Sequence, residues 1–220
     1  MPVPTTFLRD PRQGDPPLAR MIRAGRGDVR LGIYLCLLLR ATQSPHDVRH
    51  NPVPSAWAEM LSLYDPKGSG ARRVTSAFKW LARERLVALR PRAGQTPVVQ
   101  LLDPAGSGAP FAAGGTWAQV PLELWERGWV FTLRETSLAV LLVLLDLQYG
   151  AKSQADAPFV TPERRRSYGL SDDTWTRGTR DLRERRLLTV GRVPIGDDFH
   201  FDRLRNTYWI HERRLDDSPE

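Results

Sequence analysis

The side chains with chemistry to offer cluster between Ser69 and Arg92, where seven basic residues stand against one acid, Glu84, for a local charge of +6. Val74, Ala77 or Phe78, Leu81 and Leu86 recur at roughly helical spacing and are predicted to face a core. Arg72, Arg73, Thr75, Ser76, Lys79 and Arg83 then fall on the outward side. Arg and Lys pair with phosphates or guanine edges, and hydroxyls serve either role, so the chemistry suited to this helix is contact with the DNA major groove. Ser171–Arg186 repeats the design, with Thr176, Arg177, Arg180 and Arg183 outward and Trp175, Gly178 and Leu182 inward. Arg92 at one hairpin tip, and Arg192, Arg203 and Arg205 on or near a second hairpin, complete the candidate contacts.

Other chemistries find no seat. The chain has no Gly-x-x-x-x-Gly-Lys-Ser/Thr loop and no Gly-x-Gly-x-x-Gly fingerprint, and Gly68-Ser69-Gly70 before a helix is read as a turn rather than a phosphate cradle. His46 and His50 have a chelating spacing but lie in a polar loop bracketed by Pro45 and Pro52, with only Asp47 beside them. His200 and Tyr208 resemble only part of the site of rolling-circle nicking enzymes, which need a second histidine. The segment is read as hairpin. Of the seven tryptophans, all but Trp80 are expected in the core rather than stacked on bases. No catalytic residue, metal or cofactor is expected, and the protein is read as a non-enzyme.

The elements that hold the basic helices come in two copies. A shift of 101 lays Ala77–Leu89 over Gly178–Val190, and a shift of 107 lays the apolar run Leu31–Leu38 over Leu138–Leu145. The difference fits the loop Asp65–Gly70, present only in the first copy. Such a period implies two copies of one domain. The predicted boundaries are 1–17 as a Pro-rich flexible N-terminus, 18–103 as the first domain, 104–116 as a flexible linker, 117–215 as the second domain and 216–220 as a frayed tail.

Within the first copy, Leu18–Ile22 is a lead-in helix, Asp28 caps a helix over Val29–Ala41, and Ser55–Tyr64 is a helix with Trp57, Met60, Leu61 and Tyr64 inward. The basic helix leads into strands Leu86–Arg90 and Pro97–Leu102. Within the second, a strand at Trp117–Val120 precedes a helix at Pro121–Arg127, and Thr132 with Glu135 forms a capping box for Leu133–Gln148. Thr161-Pro162 opens Glu163–Tyr168, Ser171 opens the second basic helix, and strands Leu187–Val193 and Thr207–Ile210 follow.

Helix, helix, helix, strand, strand in each copy resembles the winged helix-turn-helix superfamily over about residues 18–102 and 117–212. The expected fold is mainly α with small β-hairpin wings, two such domains in tandem, an arrangement also similar to plasmid replication initiators. The resemblance implies a recognition helix in each major groove and a wing on the adjacent backbone. The expected function is sequence-specific binding of double-stranded DNA, in transcriptional regulation, with replication initiation or protein interaction as alternatives. The two outward faces differ, so two adjacent non-identical half-sites are expected, about 10 base pairs apart if the domains dock side by side.

Composition agrees with that class. The net charge is +7 and the pI near 10.1, and only Lys67, Lys79 and Lys152 among 32 basic residues are lysine. Arginine excess suits bidentate contact, and a GC-rich genome accounts for it equally well. The lone Cys36, inside an apolar run, is expected in the core and fits a reducing, cytoplasmic and nucleoid-associated location. The apolar runs are too short for a membrane span. The expected partners are double-stranded DNA and, where two chains pair, a second copy of this chain.

Overall fold

The computed structural model describes residues 1–10, 14–25, 27–112, 114–195 and 203–219. The chain is mainly helical, and its described strands form three small antiparallel sheets. It divides into two compact units. Residues 17–116 form the first-copy unit; residues 1–16 join 117–220 in the second-copy unit.

The Pro-rich start is therefore not a flexible arm. Strand β1 (Pro2–Pro4) and the one-turn helix α1 (Thr5–Leu8) are folded into the second-copy unit. Val3, Phe7 and Leu8 are fully buried, and Arg9 reaches Asp146 at 2.9 Å. Three apolar side chains within six residues supply the burial that composition alone does not suggest.

In the first-copy unit, helix α2 (Pro17–Arg23) leads to α3 (Gly27–Arg40), strand β2 (Asp47–Val48), helix α4 (Pro54–Met60) and a π-helical turn over Pro66–Gly70 that continues into α5 (Ala71–Arg83). The hairpin follows as β3 (Val87–Arg92) and β4 (Gln95–Leu101), closed by Ala93 and Gly94, with Gly94 at φ 65°. Strand β2 adds to it in the order β2-β4-β3. Asp28 lies inside the first turn of α3 and is not its cap; its carboxylate holds Arg73 at 2.8 Å instead. Helix α4 ends at Met60 because the chain turns at Ser62, φ 49°. The helical spacing expected through Tyr64 lapses there, and Tyr64 is 89% exposed; within the helical turn Trp57 and Leu61 are buried, while Met60, on the flank of α4, is 41% exposed. The stretch expected as a flexible linker is tied down over residues 103–111. Asp103 binds the Ala105 amide and the Ser107 hydroxyl, Leu102 bridges to Pro110, and Phe111 packs edge-on against the His46 ring.

In the second-copy unit, β5 (Trp117–Gln119) pairs with β1, and one-turn helices α6 (Glu123–Glu126) and α7 (Trp129–Thr132) precede α8 (Glu135–Gln148). Thr132 does not cap α8. Its hydroxyl donates to the Gly128 carbonyl at 3.0 Å and closes α7, leaving Arg134 at the N-cap without a side-chain bond. Helices α9 (Pro162–Tyr168) and α10 (Asp172–Glu184) start as expected, with Thr161 and Ser171 accepting from the Arg164 and Thr174 amides. Strands β6 (Leu188–Ile195) and β7 (Arg203–Ile210) form the second hairpin. The tail is docked rather than frayed up to Asp217: Leu215 is fully buried, and Trp129 Nε1 donates to the Leu215 and Asp217 carbonyls.

The two units share the lengths of their three main helices and the bond that closes the third. Helices α3 and α8 each have 14 residues, α4 and α9 seven, and α5 and α10 thirteen. Both basic helices close through a left-handed arginine, Arg85 (φ 56°) and Arg186 (φ 59°), with Leu86 N on Leu81 O and Leu187 N on Leu182 O, each at 2.9 Å. The helix bounds set the early shift at 108 rather than 107, since α3 and α4 start at 27 and 54 and α8 and α9 at 135 and 162. Near-continuous apolar runs have no internal phase to fix that register.

Phe7→Ala is expected to destabilise the second-copy unit by about 3–5 kcal/mol through loss of buried area and the cavity left behind. Urea unfolding measures it, and a change well under 1 kcal/mol would mean that the N-terminal segment is not part of that core.

Candidate nucleic-acid interface

Helix α5 buries Val74, Ala77, Phe78, Trp80 and Leu81. The buried face is wider than one row because α5 packs on both α3 and α4. Trp80, expected outward, is 7% exposed, with the Arg30 guanidinium 4.7 Å above its ring. Arg72, Thr75, Ser76, Lys79 and Arg83 remain exposed on the opposite side, whereas Arg73 is half-buried and committed to Asp28. Arg83 lies 3.8 Å from Glu84, whose other oxygen takes Arg20 at 2.9 Å. Among the described residues Arg72 and Lys79 make no ion pair.

The N-terminal end of α5 is already occupied. Asp65, in the left-handed region at φ 48°, accepts from the Ser69 amide at 2.7 Å. That bond, with others from the Gly68 amide and the Ser69 hydroxyl and the field of nearby Arg72, holds the carboxyl below its usual range. A Cβ at Gly68 would meet the same carboxylate oxygen at 2.2 Å, so a side chain there would push Asp65 off its amide partners. Gly68-Ser69-Gly70 thus binds an internal anion, and no external phosphate is needed to satisfy it.

Helix α10 has the same geometry and a different charge. Trp175, Gly178 and Leu182 are buried, and Trp175 donates to the Tyr208 hydroxyl at 3.2 Å and packs edge-on to that ring. A Cβ on Gly178 would lie 2.6 Å from both the Thr136 carbonyl oxygen and Val140 Cγ2, so the absent side chain sets how closely α10 approaches α8. Thr176, Arg177, Arg180 and Arg183 are exposed. Arg177 is locked to Asp173, one turn earlier, and Asp172 draws Arg165 to 2.5 Å. At the shift of 101, Arg72 is replaced by Asp173 and Arg83 by Glu184, while Lys79 becomes Arg180.

Charge sorts the same way over the units. Helix α5 carries four basic residues and no acid, but α10 sets three arginines against four carboxylates. Residues 17–116 hold fourteen Lys and Arg against six Asp and Glu, net +8, which leaves −1 for the rest of a chain of net +7. The sequence predicts that the two outward faces differ in side chains; the opposite sign of the charge at 173 and 184 relative to 72 and 83 is the further difference.

The hairpins divide too. Arg92 is exposed, and its Nη1 donates to the Arg49 carbonyl at 3.0 Å. Arg192 is exposed on β6; Arg205 is half-buried on β7, its guanidinium 5.5 Å from the Phe159 ring. Arg203 opens β7, and its side chain lies outside the described residues, as do Gly196–Asp202 with His200. His46 is buried, its Nδ1 2.8 Å from the Ala41 carbonyl, a structural role. In the second-copy core, Asp146 accepts from Arg9 and from the Tyr168 hydroxyl at 2.5 Å, and burial followed by the Asp146 charge pushes the Tyr168 pKa far up. Sequence reasoning weighed only the histidines of the polar loop 42–52 and missed Arg49 and Thr96, which line one groove with Arg92; the signal was Val48, an apolar residue between polar neighbours.

No protein-family model matches the chain, and no curated protein or solved structure matches it.

Gly178→Ala is expected to cost about 1–3 kcal/mol, because a helix backbone must move to admit the methyl group; thermal unfolding reads it, and unchanged stability would refute the close approach. Asp65 has a folded pKa below its unfolded value, so its contribution is present above the unfolded pKa and fades as pH falls through the folded one. Asp65→Ala should therefore lower the Tm at pH 7, by a margin that shrinks towards pH 3. A margin independent of pH would show that the charge of the carboxylate does not matter.

Proposed function

We propose that this protein is a sequence-specific double-stranded-DNA-binding protein with two winged helix-turn-helix units. The observation that carries the reading is α5: a fully packed apolar back, an exposed front of Arg72, Thr75, Ser76, Lys79 and Arg83 without acids, and a unit of net +8 behind it. The order β2-β4-β3, with a short strand before the second helix completing the hairpin sheet, supports the winged assignment. In the second-copy unit the isolated bridge Phe159–Thr207 takes the place of β2.

The first-copy unit anchors the duplex, with Arg72, Ser76 and Lys79 toward base edges and Arg83 on phosphate. The second-copy unit adds Arg180 and Arg183 at an adjacent, different half-site. The biological output we propose is transcriptional regulation in the cytoplasm, with the nucleoid as its site; plasmid or phage replication initiation uses the same binding chemistry. The acid-balanced face of α10 favours a second reading for that unit alone, as a protein-interaction module. No reaction is assigned to the protein. No helix among the described residues is long and apolar enough to cross a membrane.

Six or so phosphate contacts should lose roughly a thousandfold in affinity between about 50 and 200 mM salt. Lys79→Ala should cost about 1–3 kcal/mol and relax preference at one base position, and Arg180→Ala should cost less. A flat salt response in a duplex titration would overturn DNA binding. Equal losses for the two variants would overturn the special role of the first-copy unit.

A further inference from the structure

We infer that the groove between the loop 49–53 and the first hairpin is a second anchoring site, off the recognition helix, that takes a backbone phosphate of the bound duplex. The inference rests on the DNA-binding reading above and adds Arg49 as its contact residue.

The groove is shallow and open to solvent, with a volume of about 600 Å³, and is lined by Arg49, His50, Val53, Arg92, Gln95 and Thr96, with Asn51 and Gly94 completing it. Its walls are built, not incidental. Thr96 Oγ1 donates to the Asn51 carbonyl at 2.6 Å, Arg92 Nη1 to the Arg49 carbonyl at 3.0 Å and Arg40 Nη2 to the His50 carbonyl at 3.1 Å. From below, Trp57 Nε1 donates to the buried Asn51 Oδ1 at 3.0 Å. Strand β2, paired with β4 at Asp47–Gln100 and Val48–Val99, fixes the start of the loop to the sheet. Three consecutive loop carbonyls, of Arg49, His50 and Asn51, are thereby held by side chains from the hairpin and α3, and a loop so pinned loses little entropy on binding.

The charge in the groove is positive and accessible. Arg49 has a side chain 70% exposed, and the carboxylate it pairs with among the described residues, Asp47, lies at 3.5 Å with its own side chain largely covered. Arg92 spends one nitrogen on the loop carbonyl and keeps the rest of its guanidinium for a ligand. The Gln95 amide and the backbone at Gly94, which has no side chain, complete a shallow polar seat at the hairpin turn. Two arginine forks on a pinned, shallow surface match the tetrahedral oxygens of a phosphodiester better than a base edge, which would need directional acceptors and donors in one plane. Arg49 is thus a contact residue, and Arg92 also positions the loop that presents it.

The test is a salt titration of the full chain on a mixed-sequence DNA duplex. Arg49→Ala should weaken binding roughly threefold to tenfold, equally on all sequences, and make the slope of log K against log salt shallower by about 0.9, the value for one phosphate. Arg49→Lys should keep the slope, because a point charge still displaces the counterion. The proposal is overturned if Arg49→Ala leaves slope and affinity unchanged while Lys79→Ala weakens binding; the DNA-binding reading then stands without this site. A wild-type chain with no salt-dependent binding overturns that reading and the groove with it. A loss confined to one sequence would also overturn it, since that marks a base contact.

Discussion

The packing of each third helix onto the long helix before it decides what the rest of this molecule can present. Leu81 and Leu182 are fully buried at equivalent positions, and each such side chain contributes about 1.5–3 kcal/mol when removed from water. Around them the seam is tuned by volume: Ala77 in the first copy, Gly178 against a carbonyl and a valine in the second. Once that seam is closed, rotation about the helix axis is no longer free. Residues at positions 72, 75, 76, 79 and 83 must face out, as must 173, 176, 177, 180 and 184. Any function of these faces is chosen by which side chains stand there, since the fold has already chosen the direction.

Two copies of one frame then carry different charge. In the first, the exposed positions are basic or hydroxylic, and the acids of the unit lie elsewhere: Asp28 under Arg73, Glu84 with Arg20, Asp65 against backbone amides. In the second, Asp172 and Asp173 stand at the helix start and hold Arg165 and Arg177. Acids in a first turn favour the helix. They also offset the arginines of the same face, so the feature that helps α10 to form leaves it with less positive charge than α5.

Local signals were legible in the sequence, and distant ones were not. Ser171, Thr161-Pro162 and the inward Gly178 could be read because capping and periodicity involve residues three or four apart. The pairing of β1 with β5 joins residues more than a hundred positions apart, and two of its three N-terminal members are proline, which argues against a strand. Trp80 was assigned outward from a one-row buried face, whereas α5 packs on two sides. Pro54 and Pro162, each at the first turn of its helix, held the register of 108; the apolar runs outvoted them.

Residues 17–116 interrupt the second-copy unit, whose opening strand and turn are made before them and whose partner strand is made after. On a ribosome adding roughly 5–20 residues per second, β1 and α1 wait on the order of ten seconds for Trp117–Gln119. The whole first-copy unit is synthesised in that interval and is free to fold first. Prolines at positions 2 and 4 deny the waiting segment two amide donors, which limits its pairing with wrong edges meanwhile. The order of synthesis therefore favours completing the strongly basic unit while its near-neutral sibling is still an open chain.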